Sequence, residues 1–175
     1  LSYASSEAFF GSSAFRDGGH RCGTMHAYAR RNDLQMESLS KNPADCATSS
    51  TTINSEYGPL AGGHYVIPVY WHVIYTSSGE GRVSEADIAA QMDVLNEDFG
   101  AVFDTTIEFQ LVDITYTQND DWFSDDPDDE YAYKEALGQD TSKYLNIYTN
   151  DAAGYLGYAY FPQSSAGGLL DGVVM

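Results

Sequence analysis

Basic residues are nearly missing from this chain. Lysine occurs three times (Lys41, Lys134, Lys143), and all lysines and arginines together number 8 against 26 aspartates and glutamates, a formal net charge of −18. Nucleic acid and anionic membrane surfaces both require basic surface, so neither is expected as a partner. Long apolar runs are missing too: no stretch approaches the roughly 20 residues that a membrane-spanning helix needs, and no basic-then-apolar leader is visible. Cysteine is limited to Cys22 and Cys46, which can pair in an oxidising environment or stay separate. Histidine occurs at His20, His26, His64 and His72, and no two of them stand four apart with a glutamate between. His64 and His72 fall on one extended segment, but at about 3.3 Å per residue they would lie roughly 26 Å apart, too far to share a metal. His72 therefore reads as a packed or hydrogen-bonded strand residue. No nucleophile elbow, phosphate-cradling glycine loop or internal repeat is present.

What is there suits a core-forming protein. The apolar fraction is 43%, the aromatic fraction 14%, and fourteen residues are tyrosine. The length fits one ordinary domain plus an extension. Strong acidity fits a secreted or salt-adapted chain kept soluble by repulsion. Up to residue 62 the chain is rich in Ser, Ala, Gly and Asn, with weak periodicity apart from a short helix expected near His26–Leu39. Gly58-Pro59 and Gly62-Gly63 then punctuate the chain, and a different texture begins.

From residue 63 onward the pattern predicts an α/β unit. Tyr65–Tyr75 is β-branched and aromatic, a strand. Ser84 is a good N-cap, followed by acidic Glu85 and Asp87, and Ile88, Met92, Leu95 and Phe99 share one helical face. Ile107, Phe109 and Leu111 alternate with polar residues, a second strand with one buried face. Tyr131–Leu137 reads as a short helix, and Tyr144–Thr149 and Tyr155–Phe161 as two further strands. The result is a twisted, largely parallel mixed sheet backed by helices. Between these elements lies the run from Asp120 to Glu130, with seven carboxylates. Calcium prefers such oxygen ligands, yet the spacing matches no EF-hand loop and no glycine is available for its turn. A solvated acidic loop pinned by Trp122 and Phe123 is the expectation.

Five segments, in order, carry a resemblance: Val66–Tyr75, Leu95–Phe99, Leu145–Thr149, Leu156–Pro162 and Asp171–Val174. Their series resembles the front half of the catalytic domain of the pappalysin (cytophagalysin) family, zinc peptidases of the metzincin clan. The resemblance covers roughly residues 64–175. It implies a secreted zinc metalloendopeptidase zymogen, with residues 1–62 as pro-segment and residues 63–175 as the upper subdomain of the catalytic domain. In that family the zinc helix carries His-Glu-x-x-His-x-x-Gly-x-x-His, which occurs nowhere in this chain. Because the chain starts at Leu1 and stops inside the strand-like Leu169–Met175, it is expected to be a fragment of a longer reading frame, and silent as a catalyst by itself.

The resemblance also implies site residues. The edge strand of such a sheet lies antiparallel to the rest and holds an extended peptide by main-chain hydrogen bonds. Here that role falls to Leu156, Gly157 and Tyr158, on the non-primed side. Cys22 sits in His20-Arg21-Cys22-Gly23-Thr24, a pattern similar to the family's cysteine switch, in which a thiolate takes the zinc position of the catalytic water. A Cys22–Cys46 disulfide closing a loop of about 24 residues stays open as the alternative. Release of the pro-segment is expected between Cys46 and Gly63. The cofactor implied is zinc, with calcium possible, and the partner is a peptide or protein substrate. A stand-alone secreted peptide-binding module that never had the catalytic helix is the competing reading. An inhibitor acting in trans through Cys22 is a third.

Overall fold

A computed structural model describes residue 24 and residues 63–102, 106–161 and 165–175. Its elements are β1 (Tyr65–Tyr75), α1 (Glu85–Asn96), β2 (Ile107–Gln118), α2 (Asp120–Ser124), α3 (Pro127–Leu137), β3 (Leu145–Thr149), β4 (Tyr158–Ala159) and β5 (Val173–Val174). The strands form one five-stranded sheet in the order β2-β1-β3-β5-β4. β1 pairs in parallel with β2 and with β3, and β3 in parallel with β5, whereas β4 runs antiparallel to β5 at the edge. The mixed α/β sheet expected from the sequence is the observed one.

Period-two alternation explains how β1 serves two cores at once. Val69, Trp71 and Val73 face one side, where they pack with Ile88 and Met92 of α1, Phe109 of β2 and Ile147 of β3. Ile74 faces the other side, in a cluster with Tyr133 of α3, Tyr148 of β3, and Tyr158, Tyr160, Leu170 and Val174. Burial on both faces is the reason β1 reads as a nearly continuous apolar run.

Local chemistry sets the ends of α1. The Ser84 hydroxyl accepts from the Asp87 N–H at 3.2 Å, satisfying one of the amides the first turn leaves free. The α-helix stops at Asn96, earlier than Phe99, and a π-type turn covers Glu97–Val102. Asn96 explains the stop, because its side chain imitates a strand. It accepts from the Phe109 N–H at 2.7 Å and donates to the Phe109 carbonyl at 2.9 Å, tying the helix end to β2.

Other boundaries differ from the sequence reading. β2 continues to Gln118, well past Leu111, with a bulge at Val112 where the ladder shifts between Val69 and Tyr70. α3 starts at Pro127 instead of Tyr131, since proline at the first helical position loses no hydrogen bond and three acidic residues follow in the first turn. The edge strand is shorter than Tyr155–Phe161. Ala152, Ala153 and Gly154 all have positive φ (47°, 52° and 78°), a tight turn that delays pairing until Tyr158.

Candidate functional site

β4 and its surroundings hold the residues assigned to peptide binding. Leu156 is exposed (47%), while the Tyr158 side chain is buried (3%). The Tyr158 side chain is therefore not presented to a peptide on this edge. Gly157 sits against β5: a Cβ there would meet the Val174 carbonyl at 2.8 Å and Met175 Cβ at 3.3 Å, so the strand crossing requires glycine. Tyr158 is opposite Val174 and Ala159 opposite Val173. The Ala159 N–H points away from β5 and donates to the Thr24 hydroxyl at 3.3 Å. In an antiparallel pair outward and inward groups alternate, which gives Gly157 and Ala159 the outward-facing amides.

Beneath β4 lies a set of buried polar groups that the sequence did not announce. Asp125 and Glu130 are each 1% exposed and Lys134 2%. The Asp125 carboxylate accepts from Tyr133 Oη at 2.9 Å and from Tyr158 Oη at 2.8 and 3.0 Å. Glu130 accepts from Tyr160 Oη at 2.7 Å and pairs with Lys134 Nζ at 2.9 Å. Lys134 also donates to the Leu170 carbonyl at 2.9 Å, and its ammonium lies 5.5 Å and 5.4 Å from the centres of the Tyr148 and Tyr160 rings. Burial, reinforced by the neighbouring carboxylates, holds the Tyr158 phenol far above its ordinary range. Burial does the same for Tyr133, with Tyr158 and the carboxylates adding to it. Both phenols are therefore donors at any physiological pH.

The expected solvated acidic loop holds only in part: Asp120, Asp121, Asp126 and Asp128 are exposed, whereas Asp125 and Glu130 are buried. Residues 120–130 form α2 and the start of α3, with Asp125 in the left-handed conformation between them (φ 57°, ψ 45°). Trp122 and Phe123 do pack against the tyrosine-rich core. Asp120 is outward and accepts from the Ser77 N–H and hydroxyl. The sequence signal that was available was Tyr158 and Tyr160 two apart on a strand, which puts two phenols on one face.

His72 is fully buried and hydrogen-bonded, as its place on β1 suggested. Asn146 Nδ2 donates to the Gln139 carbonyl and Asn146 Oδ1 accepts from the Gln139 N–H, which fixes the amide. His72 Nε2 must then donate to Asn146 Oδ1 (3.1 Å), leaving Nδ1 to accept from the Thr115 hydroxyl (2.8 Å). The ring also stacks on Tyr148, with centroids 4.9 Å apart. His64 instead pairs with Glu108 at 3.1 Å on the surface. Cys22, Cys46, His20 and His26 lie outside the described residues. Among the described residues, no three His, Cys, Asp or Glu side chains converge to hold a metal ion, and no helix is long and apolar enough to cross a membrane.

No family model matches the chain. Curated proteins do align with it, and several are named extracellular metalloprotease. The one from Colletotrichum graminicola is 42% identical over 115 residues, 62% of this chain and 40% of that protein. The one from Uncinocarpus reesii is 36% identical over 105 residues, 58% of this chain and 37% of the relative. A third, from Pyricularia oryzae, is 39% identical over 103 residues, 57% of this chain and 35% of the relative. The chain spans between a third and two fifths of the length of these curated relatives.

Proposed function

We propose that this chain is the pro-segment and upper catalytic subdomain of a secreted zinc metalloendopeptidase of the pappalysin type, and that the β4 edge aligns its peptide substrate. The relatives named extracellular metalloprotease support the protease class and the extracellular site. The observation that carries the role of β4 is the outward Ala159 N–H, on an antiparallel edge strand, engaged by a residue of the N-terminal segment. A peptide laid along that edge would take the same donor.

The described residues do not fit a zinc ligand set, since His72 is committed on both ring nitrogens and no cluster forms elsewhere among them. No catalytic step is derived through them. Bound zinc would supply an activated water, with ligands from outside these residues. What the described residues do is hold a peptide extended: Gly157 lets the strand pass close to β5, Ala159 and Gly157 offer outward amides, and Leu156 presents an exposed apolar side chain. Thr24, two residues after Cys22 in the chain, accepts from the Ala159 N–H, the donor that a peptide on this edge would take, and Cys22 is the proposed latent zinc ligand by its resemblance to the family's switch motif.

The test is made on the full-length secreted protein. About one zinc per chain and peptide hydrolysis abolished by a chelator are expected, with Cys22→Ala raising the activity of the unprocessed form. Peptide binding without zinc or hydrolysis would overturn the enzyme reading and leave a binding module. A Cys22–Cys46 disulfide in the unprocessed protein would remove the switch.

A further inference from the structure

The edge strand has a support problem. β4 consists of two paired residues, and a ladder that short does not hold its own position. The preceding turn, with positive φ at Ala152, Ala153 and Gly154, does not favour it either. Beyond that short ladder and the Ala159 bond, side chains hold the strand.

Those side chains are the buried polar groups below it. Tyr158 and Tyr160 are two apart and face the same way, and their hydroxyls end on Asp125 and Glu130 respectively. Lys134 joins Glu130 to the Leu170 carbonyl, just ahead of β5. Both halves of the β4–β5 ribbon are thus fixed to one short stretch of chain, residues 125–134. Apolar side chains of similar size would fill the same space, often with equal or better stability, since burying ions is costly. What they would not supply is direction. A charge-assisted hydrogen bond from a phenol to a carboxylate holds its atoms near 2.7 Å, whereas apolar contacts allow sliding.

We propose that Asp125 and the Glu130–Lys134 pair are positioning residues that set the height and register of the β4 edge for an incoming peptide strand. This rests on the reading of β4 as the peptide-aligning edge. The groups do not touch substrate. They act through Tyr158 and Tyr160 on the outward amides of Gly157 and Ala159, so their loss should loosen peptide alignment without touching the chemistry.

The experiment removes a hydroxyl and leaves the ring, because Asp125→Ala is liable to prevent folding. Tyr158→Phe and Tyr160→Phe are made in the full-length protein, and amide hydrogen exchange is followed over residues 155–161 and over β1 and β3. Exchange about tenfold faster at 155–161, with β1 and β3 unchanged, is expected. For a peptide substrate, KM should rise several-fold with kcat nearly constant. A uniform increase in exchange through β1 and β3 would mean the hydroxyls are merely structural, and would overturn the proposal. Local loosening with KM unchanged would overturn it as well. If the unmodified protein neither binds nor cleaves peptides, the peptide-edge reading fails by itself. The exchange pattern then decides whether the network positions the strand.

Discussion

Replacing Lys134 by methionine removes the only buried ammonium seen among the described residues while keeping an unbranched chain in its place. Lys134 is 2% exposed and Glu130 1%, so the Glu130 carboxylate would lose its counter-charge in a site that water does not reach. Breaking a buried pair from one side costs about 3–5 kcal/mol, because the surviving charge stays desolvated. The lost bond to the Leu170 carbonyl and the contacts with two tyrosine rings fall within the same figure. A domain holds about 5–15 kcal/mol in all. Each kcal/mol moves the midpoint by about 2–4 °C at this size, so Lys134→Met should lower Tm by about 10 °C. Adding Glu130→Gln removes the stranded charge while an amide oxygen can still accept from Tyr160. The double variant should recover more than half of the loss. Urea and thermal unfolding, followed by circular dichroism, measure both. A single-variant loss below about 1 kcal/mol, within the range of surface pairs, would refute the argument from burial. So would a double variant no more stable than the single one.

Two further outcomes are expected. Burial, only partly opposed by the Asn146 hydrogen bond and the charge of Asp113, lowers the pKa of His72. The unfolded chain then takes up a proton near pH 6.5 that the folded chain resists. The His72 contribution is complete above about pH 6.5 and is lost as pH falls from there through the lowered folded value, and stability measured from pH 8 to pH 5 should decline less steeply in His72→Gln. Gly172 has φ 121°, and a Cβ there would lie 2.7 Å from the Asn146 carbonyl. Gly172→Ala should therefore cost about 2–3 kcal/mol and displace β5, read as a lower urea midpoint.

Much of the frame was readable from the sequence because it rests on local rules. The Ser84 cap, the β-branched and aromatic strand β1 and the spacing of Ile88 and Met92 each follow from short-range chemistry, and each appears in the structure. The acidic run was misread for a reason of range. Carboxylates are solvated by default, and beside the nearby Tyr133 and Lys134 the partners of Asp125 and Glu130 include Tyr158 and Tyr160, some thirty residues later. The limits of β4 were overestimated because Tyr155–Phe161 alternates well, while the left-handed alanines before it have no sequence signature. Gly157 was singled out by the family resemblance, but its reason, the Val174 carbonyl, appears only when β5 is laid beside it. The role of Cys22 came from a motif alone, and it lies outside the described residues.

The outward amide of Ala159 is the donor on which the proposed peptide alignment by β4 depends. Ala159→Pro in the full-length secreted protein deletes that one donor, at an edge position where proline is tolerated because the amide does not bond to β5. The measurement is kcat/KM for a peptide substrate beside the thermal midpoint. Loss of the main-chain bond at unchanged folding should lower kcat/KM by about tenfold or more, with Tm within about 3 °C of the parent. A variant that stays folded and cleaves the peptide as well as the parent would contradict the assignment of β4 as the strand that aligns the substrate.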